Sequence, residues 1–418
     1  MKVLWFTGVQ LPAVTSEKLS HAGWQEGLRH SLDKYYPNVH LGIASFSSND
    51  YQPFRKANAT YYNIFREPKP ESRLSRFITN WKHYDVSSEE LRQCLQIVER
   101  FDPDLIYIFG TENPFGLLCD RFSVPSIISI QAVLNGYKER VFSGLSIRDV
   151  ICEVVSKKFL MGVGVFHKWW RMSQQAKVEK DIFSRCQYFD GRTTWDEHWL
   201  ENLNPDADYY HIDRVLSDNY YQAEWNSKKA HRGLIYSTSS NAAFKGGISL
   251  VRALIELKKR GRSKIQLRMA GVHPKSRVGL TIHRLINKHH LQKQITMLGR
   301  VLPSQIINEM KRASLFVLPS HIDNSPNSLA EAMIVGMPCI ASDAGGIPSM
   351  LDDGIEGLIY PHQDISSLAD KVEILLDSPK QALKYGKNAR QTALIRHDPK
   401  RIADKVISMY KEVIRSSS

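Results

Sequence analysis

Pro319-Ser320-His321-Ile322-Asp323-Asn324-Ser325-Pro326-Asn327-Ser328-Leu329-Ala330-Glu331-Ala332-Met333 follows the apolar run Leu315–Leu318, and this junction decides the fold. A short apolar, β-rich run predicts a buried strand. Ser325 suits a helix N-cap and Pro326 the first helical position, where a missing N–H costs nothing and the fixed φ is already helical. The stretch therefore reads as strand, loop and helix. The unpaired amides of Asn327, Ser328 and Leu329, with the positive end of the helix dipole, form a terminus suited to an anion such as a diphosphate. Asp323 in the loop and Glu331 in the helix bracket those amides.

Working outward, the same alternation of apolar strand and amphipathic helix recurs along the chain. Strands are expected at Lys2–Thr7, His40–Phe46, Leu105–Phe109, Ser126–Ile130, Tyr188–Asp190 and Tyr209–Ile212 in the first half. In the second half they fall at Leu234–Tyr236, Ile265–Ala270, Ile295–Leu298, Leu315–Leu318, Pro338–Ser342 and Gly357–Ile359. Helices are expected at Trp24–Tyr35, Ser87–Phe101, Ser173–Cys186, Gly247–Lys259 and Ser304–Arg312. The fold class is α/β, with parallel sheets covered by helices. With 418 residues the chain is long enough for two cores. The polar stretch Ser217–His231 marks the break between an N-terminal domain, 1–216, and a C-terminal domain, 217–398. The segment 399–418 alternates apolar and charged residues at helical spacing and is expected to return to the first domain. In doubly wound domains the ligand site lies at the carboxyl ends of the strands.

Charge is divided unequally. Up to residue 215 there are 26 Lys+Arg and 26 Asp+Glu, and from 216 onward 30 and 17, so the second half carries the whole net charge of +13. Such a field attracts an anionic small molecule, an acidic membrane or nucleic acid. The five cysteines, Cys94, Cys119, Cys152, Cys186 and Cys339, lack the spacing of a disulfide framework or zinc site. A reducing cytoplasm fits them, and the opening residues turn polar too soon for a signal peptide. No apolar run approaches the ~18–20 residues needed to cross a bilayer.

The block Asp323-x7-Glu331 is followed by Gly336-Met337-Pro338-Cys339-Ile340-Ala341-Ser342-Asp343-Ala344-Gly345-Gly346-Ile347-Pro348. It resembles the E-x7-E signature of family 4 glycosyltransferases (glycosyl transferases group 1), which have the GT-B fold of two Rossmann-like domains facing across a cleft. The resemblance implies that Glu331 holds the ribose hydroxyls of a nucleotide and that Asp323, one methylene shorter than the usual Glu, contacts the transferred sugar. It also implies a phosphate-binding Lys-Gly after the first strand of the second domain, here Lys245–Gly246. Where the family carries a nearby Arg, Ser239 and Ser240 stand. Gly271, Gly299 and Arg300 are implied at the nucleotide pocket, with Arg300 as a candidate for the missing cation.

In the first domain Gly23 and Trp24, preceded by Ala22, resemble the family's glycine turn, and Gln131 stands where many members have a histidine. A glutamine there hydrogen-bonds but cannot act as a base at neutral pH. Arg192, within Gly191-Arg192-Thr193-Thr194-Trp195-Asp196, resembles a stretch of relatives that build bacterial surface polysaccharides. Trp24, Glu112 and Arg192 are the acceptor-side candidates. The implied activity is a metal-independent, retaining transfer of a hexose-type sugar from a nucleoside diphosphate sugar, a UDP-sugar first, to a hydroxyl acceptor that includes lipid-linked glycans. The enzyme would serve capsule, exopolysaccharide or lipopolysaccharide biosynthesis and need no cofactor. No His-Glu-x-x-His or strand-end Asp-x-Asp pattern supplies a metal clamp.

Two stretches carry the mixture of cationic and aromatic residues that suits a membrane interface, Arg66–Lys82 and Lys157–Arg171. They add peripheral contact with the inner face of the cytoplasmic membrane to a cytoplasmic location. Two other readings differ in their tests. A nucleotide-sugar epimerase of the same fold would convert donor without acceptor. A nucleic-acid binder would exploit the basic second half, but no aromatic platform or groove-reading motif supports it, so no nucleic-acid partner is expected.

Overall fold

The computed structural model describes residues 1–11, 23–49, 51–67, 72, 87–154, 159 and 161–417. Its chain forms two compact units, Met1–Lys138 with Trp170–Ser217 and His397–Ser418, and Glu139–Trp169 with Asp218–Arg396.

In the first unit eight strands are ordered β3-β4-β2-β1-β5-β6-β7-β8. They are β1 Lys2–Thr7, β2 His40–Ser47, β3 Phe54–Lys56, β4 Ala59–Phe65, β5 Leu105–Phe109, β6 Ser126–Ser129, β7 Tyr188–Gly191 and β8 Asp208–His211. All neighbours pair in parallel except β3 with β4. Continuous burial of Val3–Thr7 and Leu105–Phe109 follows from covering the sheet on both faces. Alternate residues of β1 join different cores: Val3 and Trp5 meet Leu28, Leu32, Val406 and Tyr410, whereas Leu4 and Phe6 meet Cys94, Ile97 and Phe101. The last helix, Pro399–Ser416, thus belongs to this unit, and Tyr36 Oη donates to Asp404 at 2.6 Å beside it.

The β3–β4 hairpin has no counterpart among the strands expected from sequence. Its first strand has three residues, too few for a period, and the turn depends on Ala57 at φ 53°. The cysteines also require correction. Cys119 and Cys186, 67 residues apart, form a disulfide, leaving Cys94, Cys152 and Cys339 free. Their pairing arises where the turn Pro114–Arg121 meets the end of the helix Val165–Arg185, a convergence that sequence spacing does not encode.

The second unit has six parallel strands in the order β11-β10-β9-β12-β13-β14. They are β9 His231–Thr238, β10 Gln266–Ala270, β11 Ile295–Gly299, β12 Ala313–Leu318, β13 Cys339–Ser342 and β14 Gly357–Tyr360. The chain leaves β9 in one direction and returns on its other side as β12, so the β9/β12 seam is a topological switch point. Helices Gly247–Lys259, Arg277–Lys288 and Ile365–Asp377 close one core with Ile235, Leu267, Leu315 and Ile340.

Residues Glu139–Trp169 depart from the expected 1–216 domain by clustering with this unit. The anchor is Asp149, 1% exposed, whose carboxylate accepts from Thr281 Oγ1 at 2.9 Å and Arg284 Nη1 at 3.0 Å. Among the described residues no helix is long and apolar enough to cross a membrane. Of the two stretches with interfacial composition, residues 68–71, 73–82, 157, 158 and 160 lie outside the described residues, as does Ala22.

Candidate functional site

At the β9/β12 seam the loops after the two strands lock together. Gly246, at φ 73°, brings its backbone so close to Pro319 that a Cβ would lie 1.7 Å from the Pro319 carbonyl oxygen, and His321 N donates to Phe244 O at 2.6 Å. Only glycine can occupy that point. This closeness places Lys245 beside the loop after β12, and its ammonium meets the Asp323 carboxylate at 2.7 Å. Ser320 Oγ donates to the same carboxylate oxygen at 3.2 Å. Asp323 is 6% exposed and the Lys245 side chain 30%, so the carboxylate is nearly enclosed while the lysine stays partly open. Gly345 supports Asp323 from behind: at φ 62° its Cβ would lie 2.2 Å from the Asp323 carbonyl oxygen, which accepts from Gly346 N at 2.9 Å.

The helix after this loop runs from Asn327 to Val335, with Pro326 in extended conformation at its cap and no side-chain cap bond. This shifts the expected start by one residue: Pro326 takes the cap position and stands outside the helix because its ψ of 114° is not helical. A second correction concerns the amides. Leu329 N already donates to Pro326 O at 3.0 Å, so of the three expected anion donors this one is spent within the first turn. The first turn still presents Asn327 and Ser328, both half-buried. At the other end Gly336, at φ 86°, closes the helix with its N–H on Ala332 O and Met333 O.

Glu331 projects from this helix beside two tyrosines. Tyr220 hydrogen-bonds to its carboxylate, and burial raises the Glu331 pKa to about 7, against the lowering effect of that bond. Tyr236, whose buried hydroxyl has no partner among the described residues, feels the same charge: burial first and then Glu331 push its pKa up. The half-buried Glu331 carboxyl thus holds Tyr220, while the Tyr236 hydroxyl is left as the unsatisfied polar group beside it.

Around them Gly271, at φ 89°, approaches Ser239 closely, its N–H on Gly299 O at 2.6 Å, while Gly299, at φ 65°, has open space where a Cβ would be. Arg300 is exposed and enters none of the described hydrogen bonds or ion pairs; it is not drawn to the Lys245–Asp323 pair. A different cation lies near Lys245. Lys168 Nζ stands 4.7 Å over the ring of Phe244, the residue before Lys245, and desolvation followed by the Lys245 charge lowers its pKa. No signal in the sequence linked Lys168 to Lys245, because they meet only through packing of Glu139–Trp169 onto this unit. Among the described residues no group of three His, Cys, Asp or Glu forms a metal-ligand cluster.

In the first unit the candidate residues gather at the carboxyl ends of β5, β6 and β7. Gln131 Nε2 donates to Ser129 O and Ser129 Oγ, each at 3.2 Å, and its Oε1 accepts from Arg214 Nη2 at 3.0 Å. The guanidinium of Arg192 donates to Ile130 O and, at 3.1 Å, to Ser129 Oγ. Arg192 and Arg214 both lie over the Trp24 ring, at 5.0 and 4.8 Å. Gly23 is the exposed first residue of the helix Gly23–Tyr35 and does not take a positive φ. Glu112 has a buried Oε2 without a partner among the described residues; burial first, then the nearby Glu179 charge, raises its pKa to about 7 while Arg214 and Arg192 oppose this. Arg214 was missed from sequence, although a basic residue three positions beyond β8 is the kind of strand-end group that marks such a site.

The fold is that of the GT-B glycosyltransferases. The chain superposes on sucrose-phosphate synthase from Thermosynechococcus elongatus with a TM-score of 0.73 at 15% identity, covering 100% of both chains. It superposes on Anabaena HepE in complex with UDP and glucose with a TM-score of 0.68 at 14% identity, covering 99% of this chain and 100% of that one. Residues 220–392 match the model of glycosyl transferases group 1. It is also similar to N,N'-diacetylbacillosaminyl-diphospho-undecaprenol alpha-1,3-N-acetylgalactosaminyltransferase of Campylobacter jejuni, 31% identical over 113 residues, which are 27% of this chain and 30% of that protein. The alignments span about half, 53%, or less of the curated relatives' own lengths.

Proposed function

We propose that the protein is a retaining, family 4 glycosyltransferase that moves a hexose-type sugar from a UDP-sugar to a hydroxyl acceptor in cell-surface polysaccharide biosynthesis. The observation that carries this reading is the Lys245–Asp323 pair at the switch point, 2.7 Å across, beside a helix start and the raised Glu331 carboxyl. Departure of a nucleoside diphosphate needs charge neutralised where it develops. Lys245, Lys168 and the first turn at Asn327 and Ser328 supply it from the protein, without a metal or a cofactor. Asp323 then has a second task. It holds Lys245 before the donor binds and accepts a hydroxyl of the transferred sugar when the ammonium turns to the phosphate. Glu331 accepts from the ribose hydroxyls, with Gly271 and Gly299 leaving room for the nucleotide.

Gln131, Glu112, Arg192, Arg214 and Trp24 form the acceptor side in this reading, with Gln131 a hydrogen-bonding group rather than a base. The leaving phosphate takes the acceptor's proton on the same face, the route consistent with retention. UDP is favoured by the UDP complex of HepE, and a lipid-linked acceptor by the diphospho-undecaprenol substrate in the name of the Campylobacter relative. Such an acceptor suits a cytoplasmic protein resting on the inner face of the cytoplasmic membrane. A thermal-shift screen of nucleotide sugars tests the reading. A ligand at 100 times its Kd stabilises by about 2.7 kcal/mol, so one or more UDP-sugars should raise Tm. No shift with any member of the panel refutes the proposal.

A further inference from the structure

The polar stretch Ser217–His231, which from sequence only divides the domains, is a strap fastened to the helix that carries Glu331. It opens with the short helix Asp218–Gln222 and belongs to the second unit from Asp218 onward. Trp225 N donates to Val335 O at 2.8 Å, and its ring Nε1 donates to Ala313 O at 2.7 Å. Arg390, on the helix Pro379–Arg396, donates to Ile334 O, to Ala223 O at 2.9 Å and to Tyr221 O at 3.3 Å. Ile334 and Val335 carry the last carbonyls of their helix, which find no donor within it. The bonds that finish that helix therefore also hold the strap.

Fastened in this way, the strap sets Tyr220 against Glu331. Tyr220 is 3% exposed, and its hydroxyl hydrogen-bonds to the Glu331 carboxylate. Burial first, and then the Glu331 charge, pushes the pKa of this phenol up, so it keeps its proton and donates. Among the described residues no other group hydrogen-bonds to that carboxylate. Tyr236 feels the same charge, yet its hydroxyl has no partner among the described residues. Two phenols thus flank one carboxyl, and one of them fixes it. An ionised carboxylate accepts only, with about four lone-pair positions on its two oxygens, so a single donor leaves most of that capacity open.

We infer that Tyr220 is the positioning residue for ribose recognition: its hydroxyl holds one side of the Glu331 carboxylate and leaves the remaining lone pairs to accept from the two neighbouring hydroxyls of a nucleotide's ribose. A carboxylate already held loses less freedom when the ligand arrives. A nucleotide without those hydroxyls gains nothing from the arrangement, so the effect of Tyr220 is confined to ribose-bearing ligands. The inference rests on the nucleotide reading of Glu331 given above and adds how that carboxylate is held and what it selects.

The test is calorimetric titration of the full-length protein with UDP and with 2′,3′-dideoxy-UDP. Wild type should prefer UDP by roughly 30-fold, Y220F by roughly fivefold and E331Q by roughly threefold, with dideoxy-UDP bound about equally by all three. In the E331Q background Y220F should change nothing further, because Tyr220 acts through the carboxylate. Y220F should keep a Tm close to that of wild type. Should it fail to fold, W225F keeps the phenol but loses the bond to Ala313 O, and it should lower the same preference about twofold. A Y220F protein with the wild-type preference, one that loses both nucleotides alike, or one whose effect persists undiminished beside E331Q overturns the inference. So does a preference lowered by Y236F in place of Y220F. Wild type that binds the two nucleotides equally also overturns it but leaves the transferase reading standing, whereas wild type that binds neither sinks both.

Discussion

The two sheets end in polar clusters built in opposite ways. At the β9/β12 seam of the second unit, the deciding groups lie within two short stretches, 243–247 and 319–331, and the structure joins them by a glycine contact and one ion pair of 2.7 Å. In the first unit, Trp24, Glu112, Gln131, Arg192 and Arg214 come from five separate segments and are held by bonds to strand ends, such as those from Gln131 and Arg192 to Ser129. A site that must bind a common chemical group can be compact in sequence. A site assembled from many loops is free to change one residue at a time, and it leaves no pattern to read.

Substitutions that distinguish the two clusters should differ in size and kind. The largest effect is expected from K245A, which removes charge where the leaving diphosphate develops it: kcat should fall by about 10²–10³-fold with little change in Tm. Turnover close to wild type would show that Lys245 serves only to hold Asp323. E331Q should weaken UDP binding by roughly tenfold, as the amide accepts fewer hydrogen bonds than a carboxylate. Its pH behaviour sharpens the point. A carboxyl whose folded pKa is about 7 binds more protons folded than unfolded between about 4.5 and 7, so its contribution to stability is full below that window and is lost as pH rises through it. E331Q should therefore raise Tm above pH 7 and not at pH 4. UDP affinity of the wild type should rise with pH through about 7, and that rise should vanish in the variant.

K168M should lower kcat by roughly 3–10-fold without altering Tm, a smaller effect than K245A because Lys168 lies over the Phe244 ring rather than in the ion pair. The first unit should respond in a different parameter. R214K keeps the charge but loses the planar donor that fixes Gln131, so it should raise the acceptor KM about threefold while leaving UDP affinity unchanged. A change in UDP affinity instead would mean that the division of labour between the clusters is wrong.

The same contrast explains what could be read from sequence. Leu315–Leu318 and the capped loop after it announce a strand, a turn and a helix through local chemistry, and the observed helix begins one residue from its expected start. The β3–β4 hairpin was invisible because the three residues of β3 show no period and the seven of β4 do not alternate strictly, and the Cys119–Cys186 bond because its halves are 67 residues apart. Lys168 and Arg214 were missed for a related reason: neither belongs to a motif, and each acquires its neighbours only when distant segments pack. The amide of Leu329 shows a subtler limit. A capping pattern predicts where orphan donors begin, but not that the first turn tightens and uses one of them.

Isothermal titration calorimetry of UDP against wild type, K245A and E331A would measure the central relation directly. Saturable one-to-one binding by the wild type, weakened by about tenfold or more in each variant, is the predicted result. Absence of binding to the wild type, or equal affinity in all three proteins, would contradict it.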